Sequence, residues 1–250
     1  MFNIMIDVGY VPSAFGCGLI IPIPKRSIYS NFASINDFRG ITLSPVLSKL
    51  FEHCLLQLFQ DSLVSSEFQF GFKKGKGCRD ALFVVNETVD YFVSNCSTVS
   101  LCAIDLTKAF DNLNHSILFL KLIEKNVPFC LIKILKDWYS KCVCNVKWGS
   151  SFSQSFVMSR GVRQGGVLSP ILFCLYCDNV LNTLNNSGLG CYVAGLMISA
   201  VMYADDILLL TPSVEVMQNL ICLCQTSLED VLLHLNVSKC AAYVACRCTT

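Results

Sequence analysis

Three aspartates stand where a carboxylate needs a reason. Asp105 ends the apolar run Val99 to Ile104, and Asp205 and Asp206 sit side by side, after Tyr203 and Ala204, between two further apolar runs. Two adjacent carboxylates repel each other; at a solvated turn that repulsion is cheap, and an Asp-Asp pair taken alone reads as ordinary surface. Beside a third carboxylate at the end of a buried strand, the same pair would have raised pKa values unless cations neutralised it. Hard oxygen ligands of this type suit Mg²⁺, which takes a few carboxylates together with substrate phosphates.

Such a site needs strands to hold it. Short β-like runs occur at Gly18 to Ile23, Val99 to Leu106, Cys142 to Trp148, Phe156 to Met158, Ala200 to Tyr203 and Ile207 to Leu210, bounded by Gly, Pro, Ser and Asp. The last two are spaced as a tight hairpin with the acids at its turn. Leu113, Ile117, Leu120 and Ile123 recur at helical spacing after Asp111 and Asn112, both good N-cap residues. Pro128 opens a second helix through about Tyr139, and Ser169 with Pro170 opens a third that ends near Gly188. The irregular interleaving of strands and helices favours an α+β fold over a doubly wound sheet.

The 250 residues are 53% hydrophobic and 15% charged, a balance that excludes a disordered chain. Nineteen bases against eighteen acids leave no overall field of the kind that coats nucleic acid, so any such site is local. The charges do segregate. Leu106 to Arg163 carries nine bases against three acids, Lys73, Lys74, Lys76 and Arg79 form a second basic cluster, and Ala200 to Ser238 holds five acids and no base. The sixteen cysteines lie mostly inside apolar runs, where buried, reduced thiols are the expected state. The N-terminus lacks a basic region before an uninterrupted apolar stretch, so it does not read as a signal peptide. An intracellular, reducing location, nucleus or cytoplasm, is expected. Cys174 and Cys177 lack a matching second pair, so no structural zinc is assigned. No run reaches the ~18 uncharged apolar residues of a membrane span, and no membrane partner is expected.

Asp105 with LTKAFD, the run RGVRQGGVLSP and the tetrapeptide YADD resemble, in that order, the palm motifs of reverse transcriptases of non-LTR (LINE-like) retrotransposons. Upstream, IPIPK, NDFRGITLSPVLSKLFE and QFGFKKGKGCRDAL look like the finger motifs, and LNVSKC is similar to the later palm motif with a lone lysine. The resemblance covers nearly the whole chain. It implies a right-hand polymerase fold, with fingers in 1–98, palm in 99–111, a fingers/palm connection in 112–160 and palm again in 161–250. The family continues into a helical thumb, and a fold with the thumb missing is expected because the sequence stops at Thr250. Cys78 stands where related elements usually have serine or threonine.

The implied activity is RNA-directed DNA polymerisation: two-metal nucleotidyl transfer onto a primer 3′-OH, with RNA template, DNA primer and dNTPs as partners. Asp105, Asp205 and Asp206 would hold Mg²⁺, or Mn²⁺, with outer-shell orientation an alternative for Asp206. Lys239 would protonate the leaving pyrophosphate. Lys25 and Arg39 would hold the triphosphate, Gln164 and Gly165 would contact the incoming nucleotide, and Phe110 would lie under its sugar. Lys73, Lys74, Lys76 and Tyr203 would meet template and primer. Asp111 and His115 read as a helix cap and a packing or hydrogen-bonding histidine. The alternatives are a non-catalytic nucleic-acid-binding remnant of a retroelement and a group II intron maturase-type reverse transcriptase.

Overall fold

The structure, a computed structural model, describes residues 1–25 and 34–246. The N-terminal helices α1 (Phe2–Val8) and α2 (Ser13–Gly16) lead into strands β1 (Cys17–Pro24) and β2 (Phe38–Leu43). Two longer helices, α3 (Val46–Phe59) and α4 (Cys78–Ser94), precede strand β3 (Val99–Ile104). Helices α5 (Ala109–Asn112), α6 (His115–Glu124) and α7 (Phe129–Ser140) follow, then strands β4 (Val143–Trp148), β5 (Ser151–Phe152) and β6 (Phe156–Val157). The remainder is α8 (Ser169–Asn185), β7 (Cys191–Val193), β8 (Leu196–Ile198), β9 (Ala200–Tyr203), β10 (Asp206–Thr211), α9 (Val214–Glu229) and β11 (Ala241–Ala245).

The chain divides into two compact units, Met1–Val64 with Asn114–Phe173, and Ser65–Leu113 with Cys174–Thr250. The first holds twelve bases and six acids, the second seven bases and twelve acids, so the charge segregation seen along the sequence becomes a division between units.

The first unit is built on the strand order β2-β1-β4-β5, with β6 also on β4. Strand β1 runs antiparallel to β2 through Pro24 but parallel to β4 only from Cys17 to Ile20. That limit follows from chemistry: Pro22 and Pro24 have no N–H for a second ladder, and pairing with β4 stops before them. Phe15, Phe51 and Trp138 form the aromatic centre, with the Phe51 and Trp138 rings stacked at 5.6 Å and the indole N–H donating to the Phe15 carbonyl.

The second unit carries the antiparallel sheet β11-β3-β10-β9. Alternation along β3 and β10 sorts their side chains onto two faces. One face, with Val99, Val201 and Leu210, packs with Ala81 and Val85 of α4. Helix α9 also packs on β3 and β10, burying Met217, Leu220, Cys224 and Leu228. Residues 65–98 fall in this unit because Phe68 and Phe70 exchange backbone hydrogen bonds with Met202 of β9 and α4 covers the sheet.

Two local expectations need correction. Helix α6 starts later than expected: Asn114, not Asp111 or Asn112, is its cap, its side chain accepting from the N–H groups of Ser116 and Ile117. The buried stripe is Leu118 and Leu122, while Leu120 and Ile123 are exposed, because ILFLKLI offers two apolar faces and periodicity alone cannot choose between them. The cysteines also divide more evenly than expected. Cys102, Cys142, Cys144, Cys174, Cys177, Cys191 and Cys224 are buried, but Cys17, Cys54, Cys78, Cys96, Cys222 and Cys246 are exposed, and Cys248 lies outside the described residues. All of those described are free thiols; burial pushes Cys174, Cys191 and Cys224 up to about 12.

Candidate active site

The second unit's sheet brings the acids together. Ile104 of β3 pairs with Ile207 of β10, so one further step along both strands sets Asp105 across from Asp206. Asp206 in turn pairs with Tyr203, leaving Ala204 and Asp205 as the two-residue turn of the β9–β10 hairpin. Of the expected pair at the turn, Asp205 occupies it and Asp206 is the first residue of the strand. Ala204 has φ +58°, a left-handed conformation that residues with a side chain adopt at a cost.

On its other side β3 pairs with β11, Ala103 opposite Ala241, and the turn before β11 (Val237–Lys239) returns Lys239 to the carboxylate end. The Lys239 ammonium lies 3.4 Å from Asp105 Oδ2, and the Asn236 side-chain amide donates to the same oxygen at 2.9 Å. The Asn236 backbone N–H also donates to the Asp105 carbonyl at 2.8 Å. Asp105 is therefore oriented by two residues of the LNVSKC segment. Asn236 was not among the residues expected on sequence; its signal is its position three residues before Lys239, one turn of the short helix away.

A cleft of about 380 Å³ opens on the α4 face of the sheet. Ala81, Leu82 and Val85 of α4 form one wall, and Ala103, Val201 and Leu208 form an apolar floor. Its polar end is Asp105, Asp206, Tyr203 and Lys239, with Cys78 at the first turn of α4. Partial loss of water pushes the Asp206 carboxyl up, the charges of Asp205 and Asp105 add to that, and Lys239 opposes it.

The expected convergence of three carboxylates is met only in part. Among the described residues no group of three or more His, Cys, Asp or Glu side chains stands close enough to hold a metal ion. The reason is local: Asp105 turns toward Asn236 and Lys239, while Asp205 lies on the turn, near enough to the buried Cys177 to help hold that thiol protonated. The donors nonetheless suit a hard divalent cation, since Asp105, Asp205 and Asp206 supply only carboxylate oxygen.

The remaining expected residues of this unit are placed as follows. Lys73 is half-buried, and its ammonium donates to the carbonyls of Ser65 and Ser66 at 2.9 and 2.5 Å, so it fastens its own loop. Burial lowers its pKa. Lys76 pairs with Glu67 at 2.5 Å and sits 5.3 Å from the Phe70 ring centre. Lys74 is exposed. Phe110, on α5, is half-buried and meets the Phe72 ring edge-on at 6.1 Å.

In the first unit, Ile23 pairs with Arg39 and Pro24 with Phe38, which puts Lys25 and Arg39 at one end of the β1–β2 ladder, both exposed. The Lys25 ammonium donates to the Asn36 carbonyl at 2.8 Å. The Gln164 carbonyl accepts from the Thr42 N–H at 2.6 Å. Gly165 has φ +119°, and a Cβ there would lie 2.7 Å from the Thr42 carbonyl oxygen. The glycine that was expected to admit a nucleotide is thus required by strand β2. Behind this loop Glu52 accepts from the N–H groups of Val167 and Leu168, and its other oxygen lies 3.7 Å from Arg163, both side chains being buried. Arg163 also donates to the Phe15 carbonyl. His115 bonds the Gly161 carbonyl and packs edge-on against Tyr139, as expected of a packing histidine.

Comparison with known proteins places this geometry. Residues 23–249 match the family described as Reverse transcriptase (RNA-dependent DNA polymerase). The chain is 28% identical over 240 residues to the Retrovirus-related Pol polyprotein from type-2 retrotransposable element R2DM of Drosophila melanogaster, covering 96% of this chain and 22% of that protein. It is 29% identical over 218 residues to the RNA-directed DNA polymerase from mobile element jockey of Drosophila funebris, covering 85% of this chain and 23% of the relative. The chain therefore spans about a fifth of the length of these curated relatives. Among solved structures, telomerase from Candida albicans, in complex with a TWJ fragment of telomeric RNA, superposes over 100% of this chain and 46% of its own, with TM-score 0.67 and 16% identity. Apo telomerase from Candida tropicalis, truncated from its C-terminal domain, gives a TM-score of 0.63 over 99% of this chain and 55% of its own, at 14% identity. The likeness to telomerase establishes the right-hand polymerase fold. A family match over nearly the whole chain, with Asp105, the Asp205–Asp206 hairpin and Lys239 at one edge of one sheet, leads to one conclusion: the chain belongs to the reverse transcriptase family, and its relatives are those of non-LTR retrotransposons.

Proposed function

We propose that this chain is the polymerase core of an RNA-directed DNA polymerase, adding dNTPs to a DNA primer 3′-OH on an RNA template. The observation that carries the reading is Asp105 held between Asp206 on one neighbouring strand and Lys239 on the other side, at the mouth of a cleft. We assign the second unit to the palm, and Asp105, Asp205 and Asp206 to the binding of Mg²⁺ or Mn²⁺. When bound, such ions activate the primer oxygen and stabilise the departing pyrophosphate. The chain's own residues do the rest. Asn236 fixes the Asp105 carboxylate through backbone and side chain. Lys239, with its side chain 62% exposed, is free to swing from Asp105 to a phosphate oxygen and deliver a proton there. Tyr203, 39% exposed beside Asp206, is assigned to contact with primer or template. Phe110 is assigned to the nucleotide sugar.

Within the first unit, assigned to the fingers, Lys25 and Arg39 are proposed as phosphate contacts on their charge and their shared strand end. Lys74 is the exposed member of its lysine cluster and the best placed of the three to meet a template backbone. Primer extension tests the reading. A DNA primer on an RNA template, with all four dNTPs and Mg²⁺, is expected to gain nucleotides complementary to the template, and chelation by EDTA is expected to stop it. Extension that ignores template sequence, or that persists in EDTA, would overturn the proposal.

A further inference from the structure

The turn that carries Asp205 is held from outside its own hairpin. Gln69 is 1% exposed, and its carboxamide is directed at Ala204, 135 residues further on. Its Nε2 donates to the Ala204 carbonyl at 3.1 Å, while its Oε1 accepts from the Ala204 N–H at 3.1 Å and from the Gly71 N–H at 2.8 Å. The backbone beside it continues the grip: Phe70 N–H donates to the Met202 carbonyl, and Met202 N–H to the Phe68 carbonyl, at 2.8 and 2.9 Å. Gly71 completes the fit, since a Cβ there would lie 2.2 Å from the Ala204 nitrogen.

We infer that Gln69 is a positioning residue for the catalytic carboxylates: it clamps Ala204 in its left-handed conformation and so fixes where Asp205 and Asp206 project. The chemistry singles out a primary amide. Ala204 at φ +58° pays a backbone penalty that its surroundings must offset, and both polar groups of that one residue, a donor and an acceptor, are turned to the same side chain. A carboxamide satisfies both at once. A carboxylate would accept from the two N–H groups but set a second oxygen against the Ala204 carbonyl, and asparagine is one methylene too short. All three of its hydrogen bonds go to backbone, so Gln69 reads the shape of the turn rather than any side chain on it. The inference rests on the proposed role of Asp205 and Asp206 for its catalytic meaning, and on geometry alone for the clamp.

The test compares Gln69→Met, which keeps volume and removes the hydrogen bonds, with Leu228→Val, which loosens the α9 side of the same unit without touching the turn. Hydrogen exchange is read on peptides spanning 201–206, Mn²⁺ affinity by electron paramagnetic resonance, and single-nucleotide incorporation as kcat and dNTP KM. Gln69→Met is expected to speed exchange at the turn about tenfold relative to the centre of β10. It is expected to weaken Mn²⁺ binding and lower kcat by about tenfold, with KM within about twofold. Leu228→Val should change none of these selectively. Unchanged exchange at 201–206, or exchange that rises equally across β3, β9 and β10, would overturn the clamp. A loosened turn with Mn²⁺ affinity and kcat intact would overturn the positioning role. A wild-type chain that incorporates nothing and binds no Mn²⁺ would refute the polymerase reading and the catalytic meaning of the clamp, leaving exchange to decide the clamp itself.

Discussion

Glu52→Ala should destabilise the first unit by about 3 kcal/mol, for reasons that can be followed atom by atom. The carboxylate is buried, with a relative side-chain exposure of 6%, against 7% for its partner Arg163. Its removal leaves the N–H groups of Val167 and Leu168 without their acceptor, at about 1 kcal/mol or more each. It also leaves the guanidinium buried with only neutral partners, the Phe15 carbonyl, the Ser44 hydroxyl and the Trp138 ring. Breaking a buried pair costs about 3 to 5 kcal/mol, and the 3.7 Å separation places this one at the lower end of that range. Glu52→Gln keeps one carbonyl oxygen for the two amides and should cost about half as much. The assay is urea unfolding followed by tryptophan fluorescence. Both tryptophans, Trp138 and Trp148, belong to the first unit, so the signal reports that unit alone. A loss below about 1 kcal/mol for Glu52→Ala, or identical losses for the two variants, would refute the argument that Glu52 holds the Arg163–Leu168 loop through charge.

Burial lowers the His115 pKa below its ordinary 6.5, outweighing the Gly161 carbonyl. Below that value the unfolded chain takes up a proton more readily than the folded one, so first-unit stability should fall as pH drops from 6.5 toward the folded pKa, and unfolding scans at pH 7.5 and 5.5 should show that difference reduced in His115→Asn. Gly165→Ala forces a side chain onto φ +119° and into the Thr42 carbonyl, and should cost about 1 to 3 kcal/mol by the same fluorescence assay. Phe110→Ala removes a half-buried ring and should cost less than the ~3 kcal/mol of a core phenylalanine, while ribonucleotide use rises relative to deoxyribonucleotide use in single-nucleotide incorporation. Brief alkylation of the folded chain should label Cys17, Cys54, Cys78, Cys96 and Cys222 and spare Cys174, Cys191 and Cys224, whose thiols burial holds near 12, as peptide mass spectrometry would show.

Strands β1, β3, β4, β9 and β10 fall within a residue or two of their expected limits because apolar runs bounded by Gly, Pro and Asp leave little choice, whereas β2, β5, β7, β8 and β11 are not among the expected runs. The carboxylate edge was readable for the same reason: a charge at the end of a buried strand is visible in one dimension. Gln69 was not, since a glutamine before Phe70 and Gly71 carries no sign of a bond to a residue 135 positions away. Glu52 and Arg163 were hidden in the same way, 111 positions apart by number, and a buried ion pair looks on sequence like two surface charges. Lys73 shows a tie of the same hidden kind. A lysine in a basic cluster reads as a nucleic-acid contact, and nothing in the sequence signals that its ammonium also closes a loop on the Ser65 and Ser66 carbonyls. The close approach of Gly165 to the Thr42 carbonyl is likewise a contact between residues more than a hundred positions apart, and the sequence carries no sign of it.

The most direct test of the central claim is single-nucleotide incorporation by Asp105→Asn and Asp205→Asn, with duplex affinity measured in parallel. Each substitution keeps size and hydrogen-bonding shape and removes one carboxylate charge. If these residues carry the reaction, incorporation should fall by about 10³-fold or more while binding of the primer–template changes little, because the charge is needed in the transition state rather than for holding the duplex. Incorporation within about tenfold of wild type in either variant would contradict the account.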